Sequence, residues 1–160
     1  MDNENVKEIV VCDFVGMYVD ALTRGKEYEV VVSDEEKQQI KIVGDNGRTR
    51  WFKRNLFLPA GSNVTTMISW QFDDDIKDRS EKSLEHVEVT IIFSSGEKRW
   101  CSLCTKAGLF DYIERNMIGN VLLLENAIIV CNFSNEVVHD ALRSVDQQNR
   151  LISSTRPLTY

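Results

Sequence analysis

The residue types best suited to chemistry are a thiol pair, Cys101-Ser-Leu-Cys104, in a chain that also carries His86 and His139. Thiols at this spacing ligate zinc, but a tetrahedral site takes four ligands and usually a second such pair. The other candidates, Cys12, Cys131, His86 and His139, are scattered. A redox pair would stand at a helix N-terminus after a strand, and Cys104 does precede Thr105, a good helix cap. On a strand, side chains alternate faces, so thiols three residues apart point to opposite sides and cannot share a metal. Buried structural thiols are the simpler reading. A nucleophile and base drawn from Cys101 and either histidine has no spacing to mark it. The acidic run Asp73, Asp74, Asp75, followed by Asp78 and Glu81, lacks the glycine that an EF-hand turn requires. A solvated loop accounts for it, with a Mg²⁺ site as the alternative. No P-loop, dinucleotide fingerprint or nucleophile elbow occurs. The expectation is a protein without catalytic residues, metal ligands or cofactors, and not an enzyme.

Two aromatic and charged stretches are candidates for binding instead. One is Trp70, Phe72, Asp73, Asp74 and Asp75, where an aromatic strand runs into acidic residues suited to a basic partner. The other is GDNGRTRWFKRNLF, residues 44–57, where Arg48, Arg50, Lys53 and Arg54 surround Trp51 and Phe52. Alternation gives Arg48, Arg50 and Phe52 one face of a strand and Thr49 and Trp51 the other. One of the two rings is then expected in a core, with the basic side chains solvated.

The 160 residues allow one ordinary domain or two small ones, and 42% hydrophobic with 28% charged residues is a globular composition. The net charge is −6. Residues 1–60 carry nine basic and eleven acidic groups, and residues 61–160 carry ten and fourteen, so neither half is basic. That argues against nucleic acid, whose binding rests on a positive field, and favours a basic protein partner. The apolar stretches Val121–Leu124 and Ala127–Cys131 are far too short to span a bilayer. The polar N-terminus MDNENVKE is no secretory signal, and four cysteines without regular spacing suit a reducing compartment. The expected location is the cytoplasm, with no membrane association.

The elements that must position these residues fall into two parts. Strands are predicted over Glu8–Phe14, Lys26–Val32 and Gln39–Val43, with a return strand Thr49–Phe52 after an Asn46-Gly47 pair that suits a type I′ turn. Pro59, Gly61 and Ser62 then break the chain. Beyond them, strands are predicted over Val64–Phe72, His86–Phe93 and Lys98–Thr105, and a buried strand over Asn126–Phe133. Thr105 and Ser134 are placed to cap helices running to about Asn116 and Asn149. The predicted organisation is a small all-β domain over residues 1–60 and an α+β domain over residues 61–160. The second is an antiparallel sheet with two helices on one face.

Residues 8–58 resemble a Src-homology-3-like barrel of the prokaryotic kind. The resemblance lies in the order LTRGKEYEV, charged loop, QIKIV, tight turn and GRTRWFKRNLF. These are similar to the family's diverging turn, n-Src loop, distal hairpin and closing short helix. It covers about a third of the chain and implies the barrel fold. The family's proline-rich ligand is not implied. Gln38-Gln39-Ile40 stand where its groove tryptophan belongs, and Lys53 and Leu56 where its proline and tyrosine belong. Only Phe14 and Tyr18 stand in for the groove's other aromatics.

The remainder is similar only in general character to small bacterial immunity or antitoxin proteins that bind and block a partner. The functional expectation is therefore a noncatalytic protein-binding protein. The alternatives are a small enzyme or metal protein built on the α+β half, or nucleic-acid contact through Arg48–Arg54.

Overall fold

The computed structural model describes residues 7–73, 86–116 and 124–158. Among the described residues it is a sheet-rich α+β fold with two helices, and the chain divides into two compact units: Met1–Thr66 with Gln147–Asn149, and Met67–Asp146 with Arg150–Tyr160. No helix among the described residues is long and apolar enough to cross a membrane.

The first unit contains β1 (Ile9–Cys12), β2 (Glu27–Asp34), β3 (Gln39–Val43), β4 (Thr49–Lys53), a 3-10 turn (Arg54–Leu56) and β5 (Phe57–Pro59). The pairings are all antiparallel, in the order β4-β3-β2-β1-β5. Alternation builds the core: Ile40 and Ile42 of β3 and Tyr28 and Val30 of β2 turn inward, against Val10, Cys12, Leu22 and Phe57. A register shift between Val30 and Val32 marks a bulge in β2. In β4 the inward ring is Phe52, which meets Tyr18 and Phe57 edge-to-face at 4.9 and 6.2 Å, while Trp51 lies outside.

The β3–β4 turn differs from the expected type I′ form. Only Gly47 has a positive φ, +74°; Asn46 does not. The Gly47 amide donates to the Gly44 carbonyl at 2.9 Å and the Gly44 amide to the Arg48 carbonyl at 3.0 Å. This is the longer hairpin loop that ends in a single left-handed residue. The extra length lets the Asp45 amide reach the Ala21 carbonyl at 2.8 Å.

Arg24 is buried within this unit, which a cation tolerates only when fully hydrogen-bonded. Its guanidinium donates to the Asp13 and Thr65 carbonyls and to Asn149 Oδ1 at 2.6, 2.7 and 2.6 Å, and its amide to Gln147 Oε1 at 2.8 Å.

The second unit contains β6 (Met67–Phe72), β7 (His86–Phe93), β8 (Lys98–Thr105), α1 (Lys106–Asn116), β9 (Ala127–Val130), α2 (Asn135–Gln147) and β10 (Arg156–Pro157). Antiparallel pairing gives the order β10-β8-β7-β6. One edge of β8 is taken by β7, so β9 and β10 share the other: β10 pairs at Arg99 and Trp100, β9 from Ser102 onward. Val87, Val89, Ile91 and Phe93 of β7 line the core with Cys101 and Leu103 of β8. The caps are as read from sequence: the Gly108 amide donates to Thr105 Oγ1 at 3.1 Å, and the Val137 amide to Ser134 Oγ at 3.3 Å.

Three expectations for this unit are corrected. First, β9 is parallel to β8, which α1 makes possible, because parallel neighbours need a crossover connection. Second, the two helices do not share one face. Helix α2 lays Val138 and Leu142 on the Val87–Val89 core. Helix α1 instead brings Tyr112 to within 6.5 Å of His86, ring to ring, and His86 alternates to the opposite face from Val87. The strongly apolar face goes to the strongly amphipathic helix; α1 buries only Gly108 and leaves Phe110 exposed. Third, Asn126–Phe133 is not a uniformly buried strand. Only Ala127–Val130 pair, and Ile129 and Cys131 are exposed. Helix α2 also stops short of Asn149, which adopts φ +54° while the Arg150 amide reaches back to the Val145 carbonyl at 3.1 Å.

Candidate functional site

Strand β6 forms an edge of the second sheet. Its register against β7 runs Met67 to Phe93, Ser69 to Ile92, Trp70 to Ile91 and Phe72 to Val89, so Ile68 is an extra residue. That bulge changes the parity of the strand. Met67, Trp70 and Phe72 thereby lie on one face, over the core and towards α2, while Ile68 is left 65% exposed. The Trp70 and Phe72 rings stand perpendicular, interplanar angle 90°, with centroids 5.0 Å apart. Both are half-buried. The Trp70 indole Nε1–H donates to His139 Nδ1 at 3.3 Å.

An open groove results, lined by Trp70, Phe72, Asn135, Glu136, His139 and Asp140. The α2 members recur at i, i+1, i+4 and i+5, the same spacing as the helix's apolar stripe but displaced round the axis. Sequence reasoning followed the stripe and passed over them; the polar stripe was the available signal. Among the described residues, no cation forms an ion pair with Glu136 or Asp140. Asp73 follows β6, its carboxylate accepting Thr90 Oγ1–H at 2.6 Å and its amide donating to the Glu88 carbonyl at 3.0 Å. Asp74 and Asp75, and beyond them Asp78 and Glu81, lie outside the described residues.

The basic candidates are dispersed. Arg54 is half-buried in its 3-10 turn, ion-paired with Glu8 and with Glu35. The bond from Arg54 is the main influence that holds the Glu8 carboxyl below its ordinary pKa. Arg50 alternates to the Phe52 side of β4, whereas Lys53 shares the outer face with Trp51. Trp51 is 42% exposed there, with Lys41 Nζ 5.9 Å from its ring centre.

Cys101 is sealed in the second core, where burial, followed by the charge of Asp73, pushes its thiol up to about 12. Cys104 lines a smaller pocket with His86, Ser102 and Tyr112, and burial raises its pKa as well. The two thiols thus serve opposite faces of β8. Among the described residues, no group of three or more histidines, cysteines or carboxylates is positioned to hold a metal ion.

No protein-family model, curated protein or solved structure matches this chain.

Proposed function

We propose that the chain is a noncatalytic protein-binding protein whose second unit presents the Trp70–Phe72 groove to a basic partner. The observation that carries this reading is the pairing of two half-buried perpendicular rings with two carboxylates, Glu136 and Asp140, that no described cation neutralises. Aromatic anchors dominate interface energetics. Carboxylates beside them select a positively charged surface, and the net charge of −6 reinforces its approach at long range. A bacterial immunity- or antitoxin-type protein that binds and blocks its partner is the form of this reading suited to a small acidic chain. The first unit is read as a Src-homology-3-like barrel. The order β4-β3-β2-β1-β5 and the 3-10 turn leading into β5 support that reading. The Trp51–Lys41 face is the competing surface, and it would select an acidic partner.

The test is capture of a stoichiometric partner with the full chain, followed by two charge reversals. Glu136→Lys with Asp140→Lys is expected to weaken binding by about tenfold or more, and to flatten its salt dependence. Lys41→Glu with Lys53→Glu, on the Trp51 face, should leave it nearly unchanged. The opposite ranking would assign the interface to the first unit, and a chain that captures no partner would reject the reading.

A further inference from the structure

We infer, resting on that reading, that the partner supplies an extended segment that pairs along the outer edge of β6 and seats one arginine or lysine side chain in the groove. The Asp73 amide donates to the Glu88 carbonyl, which makes that couple a hydrogen-bonded pair of the ladder. Antiparallel pairs alternate, so Gln71 opposite Thr90 is the next such pair. Trp70 and Phe72 lie between, and their amides and carbonyls point away from β7. Among the described residues, no strand takes up that outer edge. Pairing of an extended segment with such an edge is a common mode of peptide recognition.

The geometry of an added strand then selects the side chain. A residue opposite Trp70 or Phe72 shares their face, so it projects towards α2 and into the groove. A cation there lies beside an indole, the ring type to which cations bind best. It also meets the Glu136 and Asp140 carboxylates. One influence opposes it: the groove adjoins the first turn of α2, whose dipole is equivalent to about half a positive charge. Two full negative charges on the same turns of the helix outweigh it.

The probe is a blocked five-residue peptide alternating threonine and valine around a central arginine, titrated into the isotope-labelled full chain. The expected result is movement of the Trp70 indole resonance and of the Trp70 and Phe72 amide resonances. Affinity should fall about tenfold or more, to the limit of detection, when citrulline replaces arginine or when the peptide's pairing amides are N-methylated. The same loss is expected in a Glu136→Gln, Asp140→Asn variant that keeps the wild-type spectrum elsewhere. Equal binding of the citrulline peptide, resonance changes confined to other strands, or no binding at all would each overturn the inference. If a captured partner depends on Glu136 and Asp140 while the peptide fails, the broader reading stands and this binding mode falls. If the peptide binds as described but the partner ignores both residues, the groove's capacity for a cationic strand stands, while the broader reading and the assignment of that strand to the partner both fall.

Discussion

The indole of Trp70 and the imidazole of His139 are joined by one hydrogen bond, from Nε1–H to Nδ1 across 3.3 Å, which links the edge strand β6 to the polar side of α2. The indole N–H is the donor and the imidazole nitrogen the acceptor. The bond is solvent-exposed, and its net contribution to stability is at most about 1 kcal/mol. His139→Ala is therefore expected to shift the Trp70 indole resonance while leaving those of Trp51 and Trp100 in place, with little change in the denaturation midpoint. Movement of all three indole resonances would mean that His139 supports the fold rather than the groove.

Asp45 gives the first unit a defined acid response. Its carboxylate accepts bonds from Lys26 Nζ, Thr23 Oγ1 and Tyr28 OH at 2.5, 2.7 and 2.9 Å. Burial opposes its ionisation, but the bonds from Lys26, Thr23 and Tyr28 outweigh it and hold the carboxyl below its ordinary value. A group whose pKa is lowered on folding stabilises the fold above its unfolded value, near 4, and loses that contribution as pH falls through the folded value. Asp45→Asn should be less stable than wild type at neutral pH, with the gap closing below about pH 4. Urea denaturation across that range measures it; a gap that persists undiminished in acid would show that the carboxylate's charge is not what matters.

Gly44 is held by sterics and Gly47 by its backbone angle. A Cβ on Gly44 would lie 2.8 Å from the Ala21 carbonyl oxygen and 3.1 Å from the Ala21 Cβ, whereas one on Gly47 meets nothing within 4 Å. Gly44→Ala is expected to cost about 1–3 kcal/mol through overpacking, and Gly47→Ala about 1–2 kcal/mol through its left-handed φ. Ala21→Gly should rescue Gly44→Ala only in part, since the closer contact is with backbone. Denaturant midpoints of the single and double variants measure this.

The thiols should react in order of access. Cys12 and Cys101 are fully buried, and burial pushes both up to about 12, so neither supplies thiolate at neutral pH. Cys131 is exposed. An alkylating reagent applied to the native protein is expected to label Cys131 first, and to label Cys12 and Cys101 only after denaturation. Elemental analysis should find no zinc tied to the Cys101–Cys104 pair; near one zinc per chain, lost in Cys104→Ser, would contradict this.

Local order was legible wherever a period and a boundary coincided. Strands β3, β7 and β8 have the bounds expected from sequence, Gln39–Val43, His86–Phe93 and Lys98–Thr105, because a two-residue period is a property of the chain itself. Helices α1 and α2 start after Thr105 and Ser134, because a cap bonds backbone groups only two or three residues away. Phe52 or Trp51 as core ring was open from alternation alone; the packing of Tyr18 and Phe57 on one side of β4 selects Phe52.

What only the tertiary structure decided depends on residues distant in sequence. The parallel seat of β9 follows from which edge of β8 remained open, and the separation of α1 from α2 from which sheet face was apolar. The Ile68 bulge, which turns Met67, Trp70 and Phe72 to one side, exists only in register with β7. Glu136, His139 and Asp140 join those rings only once α2 lies on the core. The hydrophobic pattern specifies what is buried, but not against which partner. The charged residues of the groove carry no burial signal at all, so the sequence determined the elements and their inner faces, and packing determined the site.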